Sequence, residues 1–402
     1  MSATNTEIPV SFDCDVAVVG GGIAGIAAAL AAARQGKKTL LLEKQCVLGG
    51  LATSGLITIY LPLCDGKGTQ VSFGLAQELF HLSMKRNWQA RYPGPWLNGG
   101  GREERAKVRF EVQFNPVYYA LDLEAALLHS GVTLWYDTRL CGVTVSGSRM
   151  ASLQVENEDG RSAVTARAFV DASGQARLFQ LAGAPTRLHG TGNKVAGWYY
   201  SAGAQKDNRL HMLGFADAPE GSERDKDEEA LDSNNRYSGA TADSINRFLF
   251  ASHRCTLRDS VERLKNTGQQ AANMAHMPQF RMTRCMVGEH AMTEAEDHVP
   301  NASSVGMVSD WRRAGPRFEV PYGCLYTPRV ENLFAAGRCV SCDDGMWDVL
   351  RVIPDCAVTG EAAGIAAALT PPSGRTEIGT LQSALRQAGQ KLKFDELEDG
   401  RE

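Results

Sequence analysis

VAVVGGGIAGIAAALAAARQGKKTLLLEK, residues 16–44, reads as strand, glycine turn, helix and second strand. Asp15 leads into Val16–Val19, an apolar run with the length and branching of a buried parallel strand. Gly20, Gly22 and Gly25 then turn the chain into an alanine-rich helix at the spacing G-x-G-x-x-G. Each glycine has its own physical task. Gly20 permits the tight turn, Gly22 lets backbone approach a pyrophosphate, and Gly25 lets the helix lie close on the strand, so that free N–H groups meet a phosphate. Thr39–Leu42 reads as a second buried strand. It ends in Glu43, about 20 residues beyond the glycines, where a carboxylate can accept both hydrogens of a ribose diol. The reading is a dinucleotide site. A transmembrane or signal segment fits the same run poorly, because the glycines interrupt it, Arg34, Lys37 and Lys38 follow closely, and no basic leader or cleavage site is seen before it.

Outside that unit the chain offers coarser bounds. With 402 residues it exceeds the length at which one core keeps growing, so two interleaved domains are expected. A hydrophobic fraction of 43% and a net charge of -4 describe an ordinary globular protein, with no overall basic excess for nucleic acid or an anionic membrane surface. The ten cysteines lack the dense spacing of a small secreted scaffold. Reduced thiols in a cytoplasmic protein are the expectation.

Along the chain, Met1–Phe12 carries no period and is expected to fray. Gly49 and Gly50 precede the small polar pair Thr53 and Ser54, and backbone at such a pair can lie against a flat ring or a phosphate. Phe73–Asn87 has helical spacing, and RYPGPWLNGGGREER, residues 91–105, reads as a loop. Asn115–Ser130 resumes helical spacing and Val132–Tyr136 reads as a strand. Leu140–Val145 and Met150–Val155 form a hairpin pattern continued by Ala163–Ala168, after which Phe169 and Val170 enter Asp171-Ala172-Ser173-Gly174. The middle region carries no dinucleotide signal. It holds a charged stretch, Ser222–Arg236, expected as a solvated loop, and a helix near Ala242–Asn266. Val320–Tyr326 and Asn332–Ala336 read as strands, Arg351–Leu369 as a helix, and Leu381–Leu392 as a short amphipathic helix before an acidic tail.

The order of GGGIAG, LLLEK, LGGLATSG, FVDASGQARLFQLAGAP, NLFAAGRCVS and RVIPDCAVTGEAAGIAAAL resembles the FAD-dependent oxidoreductase family of glutathione-reductase-type flavoproteins. The likeness covers most of the chain and is weakest between Gly190 and Asn273. It implies FAD as cofactor, with Gly20, Gly22, Ile23, Ala24 and Gly25 at the pyrophosphate, Glu43 and Lys44 at the adenosine ribose, and backbone near Leu140 at adenine. It implies that Gly49, Gly50, Leu51, Ala52, Thr53 and Ser54 run beside the isoalloxazine, and that Ala172, Ser173 and Gly174 return to the pyrophosphate. Gln175 stands where the family usually has aspartate. Gly337 and Arg338 are implied at the ribityl and phosphate end. Arg351, Val352 and Ile353 open a helix whose N-terminus faces the pyrimidine side, where its partial positive charge suits an anionic reduced flavin. The implied fold is α/β, a Rossmann-like FAD-binding domain (parallel sheet with a β-hairpin or meander layer) plus an inserted α+β substrate domain. Residues 12–88, 110–188 and 318–370 would form the discontinuous FAD domain, 89–109 and 189–317 the cap, and 371–402 a C-terminal helix and acidic tail.

The implied chemistry is hydride transfer between a small polar metabolite and flavin N5, with a group handling the partner proton. His189 and His211 are candidates for that group, although ordinary core or surface histidines read the same way. Phe280–Asp297 resembles the family segment that carries an arginine pair, Arg281 and Arg284, toward the active site; a structural ion pair is the plainer reading. Trp198, Tyr199, Tyr200, Tyr322 and Trp347 would line a pocket or simply fill the core. Cys339 and Cys342 form a CxxC, for which packing is favoured over a thiol relay, and with no second pair at ligand spacing no metal is expected. No second strand–GxGxxG–helix unit follows, so electrons are expected to pass to oxygen or a separate acceptor. The expected partners are a small-molecule substrate and that acceptor, without nucleic acid or a membrane span, in a possible homo-oligomer. A non-catalytic FAD-binding sensor and a fumarate-reductase-like alkene reductase are the alternatives.

Overall fold

The computed structural model describes residues 8–203, 209–217 and 235–397. Strand β1 (Val10–Val19), helix α1 (Ile23–Arg34) and strand β2 (Thr39–Leu42) form the opening unit, with β1 and β2 parallel from Val16↔Thr39 to Val19↔Leu42. Gly25 makes the unit close-packed, because a Cβ there would lie 1.8 Å from the Gly20 carbonyl oxygen. Order begins earlier than the lack of period suggests. Val10 and Phe12 already pair with Ala163 and Val164, because a long neighbouring strand offers them backbone partners.

Helix α2 (Leu75–Met84) is shorter than its apolar spacing implies, starting after Gly74 at φ +59°. The stretch 91–105, expected as a loop, contains two short helices, Gly94–Leu97 and Arg102–Ala106. Trp96 anchors them by stacking on Phe110 at 4.9 Å and donating its indole N–H to the Val108 carbonyl. Helix α3 (Pro116–His129) begins at Asn115, whose side chain accepts from the Val117 and Tyr118 N–H groups. It leads to β3 (Thr133–Trp135), parallel to β2. Then β4 (Arg139–Ser146), β5 (Arg149–Asn157) and β6 (Gly160–Asp171) follow as an antiparallel meander, and β6 also runs parallel to β1.

The inserted region builds a separate small sheet, with β7 (Tyr199–Ala202) between β8 (Arg209–His211) and β9 (Gln270–Met274), all antiparallel. Helix α4 (Ala242–Thr267) packs over it, its first turn capped by Thr241. Val195, Trp198, Tyr237, Phe248 and Phe280 belong to a second hydrophobic core there. Most of the charged stretch Ser222–Arg236 lies outside the described residues, as does the acidic tail beyond Leu397.

On its return the chain makes a strand at Arg317–Pro321 and then a 3₁₀ turn at Tyr322–Cys324, where a strand through Tyr326 was expected. Pro321 has no N–H for a ladder, and the chain turns there. Strand β10 (Leu333–Ala335) joins the parallel sheet beside β6, giving the order β3-β2-β1-β6-β10. The helix expected over Arg351–Leu369 is α6 (Ile353–Leu369), and a short helix that the sequence pattern did not mark, α5 (Asp344–Leu350), precedes it at 89°. Pro354 in the first turn of α6 suits a helix start and forbids continuation from α5. Gly360 and Gly364 let α6 lie directly on α1, since their Cβ atoms would sit 2.3 and 2.2 Å from the Ala24 and Ala28 carbonyl oxygens. Helix α7 (Ile378–Gln387) closes the described chain, and no single described helix is long and apolar enough to cross a membrane.

Candidate functional site

A cavity of about 310 Å³ opens along the carboxyl ends of β1, β2 and β6. Its wall brings together Gly20, Gly22, Ile23 and Ala24 from the first turn, and Glu43 and Lys44 from the end of β2. It also includes Gly49–Ala52, Leu140, Ala172–Gly174, Arg338, Arg351 and Ile353. Gly25, Thr53, Ser54, Gly337 and Val352 do not line the cavity. Gly25 packs on Gly20, Thr53 donates to the Leu48 carbonyl, the Ser54 carbonyl accepts from the His276 N–H, Gly337 abuts Ala24 and Cys356, and Val352 is the N-cap of α6.

Two helix ends face this space without side-chain caps. The N-cap of α1 is Gly22 and that of α6 is Val352, whereas Asn115, Thr241 and Asp343 cap α3, α4 and α5. Each open end presents free N–H groups and about half a positive charge. Asp355 sits in the first turn of α6, and burial first and Asp310 second push its pKa up. A Cβ on Gly22 would meet nothing within 4 Å, while one on Gly50 would lie 3.2 Å from the Gly22 Cα. The glycine pair 49–50 therefore forms one side of a bare backbone cradle.

Glu43 is buried at the next turn of the wall, its two oxygens accepting from the Gly21 N–H at 2.6 Å and the Gln45 N–H at 2.9 Å. Burial pushes its pKa up and those hydrogen bonds oppose the shift. Each oxygen keeps one acceptor position, enough for a ribose diol. Arg338 completes the cradle. Its Nη1 donates to the Phe280 and Arg281 carbonyls at 2.6 and 3.1 Å, and among the described residues no carboxylate pairs with it. Burial pulls its pKa down. A Cβ on Gly174 would come within 2.4 Å of Arg338 Nη2, so a glycine leaves the guanidinium its place. A guanidinium with no carboxylate partner among the described residues, beside two open helix ends, suits a diphosphate.

The substrate side is differently made. Gln279 from the cap donates to the Gly55 carbonyl at 2.5 Å, and Met277 adds to the cavity wall. Arg281 lies over the Trp198 ring at 5.3 Å and 3.9 Å from Asp217, which also binds Arg351; Arg351 in turn pairs with Asp348. Arg284 does not join Arg281. The strand Arg284–Met286 pairs with Thr186–Leu188 and sends Arg284 to Gln180 at 2.6 Å, away from the cavity. His189 meets Trp347 edge-on with Nε2 3.9 Å from Asp344, and His211 bonds Ser201 Oγ at 2.7 Å and stacks on Tyr199. Burial pulls the pKa of both histidines down, and neither lines the cavity. Nor do the five aromatics: Tyr199 donates to Asp259, Tyr200 to Gln89, Trp198 to the Gly214 carbonyl and Trp347 to the Arg338 carbonyl, while Tyr322 packs against Tyr326. Cys339 and Cys342 are buried free thiols whose pKa values desolvation pushes well up, an environment that disfavours a thiolate relay. Among the described residues no group of three potential ligands is placed to hold a metal.

Sequence reasoning missed Gln45, Thr138, Arg139, Arg177, Met277 and Cys356 on the wall, and Gln175, noted as a departure from the family, lines it too. Thr138 and Arg139 flank Leu140 and were within reach of the same signal. Met277 comes from the cap, where nothing in the local pattern marks it.

Fold and site define a dinucleotide-binding α/β flavoprotein. The chain belongs to the family described as FAD dependent oxidoreductase, whose sequence profile matches residues 15–255 and 295–385, and it is accordingly an FAD-dependent enzyme. It is similar over 94% of its length to a Thermoplasma acidophilum protein described as geranylgeranyl bacteriochlorophyll reductase-like, at 14% identity, covering 82% of that chain with a TM-score of 0.45. CabE, an aromatic hydroxylase from angucycline biosynthesis, is similar at 13% identity and a TM-score of 0.47, with 94% of this chain and 66% of that one covered. The anhydrotetracycline hydroxylase OxyS from Streptomyces rimosus matches at 12% identity and a TM-score of 0.42, with 93% and 65% covered. No curated protein matches the sequence.

Proposed function

We propose that the protein transfers a hydride between a small polar metabolite and flavin N5, passing electrons to oxygen or to a separate acceptor. The observation that carries this reading is the convergence of two uncapped helix ends and the carboxylate-free Arg338 on one cavity beneath the cap. Bound FAD supplies the two-electron chemistry. Glu43 would hold the ribose, the α1 terminus and Arg338 the diphosphate, and the backbone of Gly49–Ala52 the face of the ring. The terminus of α6 would stabilise negative charge on the pyrimidine side. The cap contributes Met277, which would keep water from the ring, while Gln279 ties the cap to Gly55 and the buried Arg281 beside Asp217 does not reach the cavity.

Residues 12–88, 110–188 and 318–370 act in this reading as the FAD domain, with 89–109 and 189–317 as the cap. Ten free cysteines, most of them buried, suit a reducing cytoplasmic setting. The test is an anaerobic screen of metabolites against the FAD-loaded protein. A substrate should bleach the yellow band within seconds, and a screen across polar metabolite classes without bleaching would sink the hydride reading.

A further inference from the structure

Helix α4 buries one face on the cap through Phe248, Ala251, Ser252 and Cys255 and leaves the other in solvent. On the outer face Phe250, Leu257, Val261 and Leu264 are 39 to 64% exposed. Their spacing is i, i+7, i+11 and i+14. At about 100° per residue they fall within an arc of about 60°, forming one apolar stripe about 21 Å long. Arg247, Arg254, Arg258 and Lys265 follow along one flank of it, within a further arc of about 40°. Arg247 lies 3.8 Å from Asp243. Among the described residues no carboxylate pairs with the other three. The whole chain carries -4, so this face reverses the sign of the protein locally.

We propose that the outer face of α4 docks the enzyme on an anionic lipid surface. Large apolar side chains in a narrow stripe reach the boundary between headgroups and acyl chains, and a flanking row of cations meets the lipid phosphates. A second copy satisfies the same face less well. Antiparallel pairing of two α4 helices sets cation row against cation row, and parallel pairing sets the row beside His253 and Ser260; neither supplies counter-charge. Two residues, Phe248 and Phe280, connect the docking helix to Arg338 on the cofactor wall. Phe248 on the inner face packs on Phe280 at 4.3 Å, and the Phe280 carbonyl holds Arg338.

Co-sedimentation of the full-length, FAD-loaded protein with vesicles tests this. Vesicles of phosphatidylcholine with phosphatidylserine should pellet the protein, those of phosphatidylcholine alone should not, and salt should weaken the binding. Each surface cation contributes about fivefold, so Arg254→Gln with Arg258→Gln should lower partitioning roughly 30-fold. Leu257→Glu with Leu264→Glu should abolish it. All four positions are exposed, and unchanged flavin content and melting temperature verify that these variants fold. No pelleting with anionic vesicles at low salt, or equal pelleting with neutral ones, overturns the proposal. So does a doubled mass in light scattering that Leu257→Glu halves, because a second copy then covers the stripe.

Discussion

The cofactor wall and the cap use similar polar groups in opposite ways. On the wall the groups are left open: α1 and α6 start without side-chain caps, and Arg338 has carbonyls but no carboxylate among the described residues. In the cap they are already matched within the chain. Arg281 lies beside Asp217, which reaches across to Arg351 on the wall, His211 bonds Ser201, and Tyr199 bonds Asp259. A site made for an invariant ligand keeps its charges and N–H groups waiting, since the ligand supplies their partners every time. Cap groups that are satisfied at home stabilise the cap and leave little sign of what it admits.

Removing a waiting group on the wall should therefore give the largest effect. If Glu43 holds the ribose as proposed, Glu43→Ala deletes two charge-assisted bonds, each worth about 1.5 to 3 kcal/mol, and Arg338→Met, with Arg338 at the proposed diphosphate site, brings a further loss of similar size per bond. Titration of apoprotein with FAD, followed by flavin fluorescence, should show affinity falling by at least about a hundredfold for Glu43→Ala. Unchanged affinity in both variants would erase the distinction between wall and cap.

A second buried glutamate sharpens the same contrast through pH. Glu361 in α6 accepts from the Leu75 N–H at 2.8 Å and from Gln390 Nε2 at 2.6 Å, facing no cofactor wall. Desolvation pushes its pKa up to about 7 from 4.5, so the folded state holds the proton more tightly than the unfolded one. Its contribution is fully present below 4.5 and is lost as pH rises through about 7. Glu361→Gln keeps the acceptor for Leu75 and can donate to Gln390 Oε1, which has no partner among the described residues. Chemical denaturation should show the variant more stable by roughly 3 kcal/mol above pH 7, with the gain vanishing toward pH 4.5. A gain that is independent of pH would mean that the carboxyl is not protonated in the fold.

The wall was largely legible because its rules are local and backbone-driven. Three glycines at fixed spacing, a carboxylate at the end of the next strand and a late glycine-arginine turn each announce a bare backbone or a charge at a known place. Helix α6 was legible from its polar start and long apolar run, whereas the seven-residue α5 before it is too short to show a period. Arg281 and Arg284, three residues apart, read as a pair; the strand at Arg284–Met286 separates them by pairing with Thr186–Leu188. Asp217 and Met277 reach the site through tertiary packing of the cap, for which no short-range pattern exists.

The smallest expected effect concerns His211, which looks from sequence like a proton-transfer group. The imidazole is buried, bonded to Ser201 Oγ at 2.7 Å and stacked on Tyr199 at 4.8 Å. A general base in the reaction would cost about 10²- to 10⁴-fold in rate on removal, whereas a satisfied structural histidine costs only its hydrogen bond, about 1 kcal/mol of stability. Burial holds its pKa below 6.5, so its contribution to stability is present above 6.5 and is lost as pH falls through the lowered value. His211→Asn should leave the rate of flavin reduction by substrate unchanged in anaerobic stopped flow and should reduce the acid sensitivity of the fold. A rate loss of a hundredfold with the melting temperature intact would place His211 at the reacting atoms, and the cap would then hold a waiting group after all.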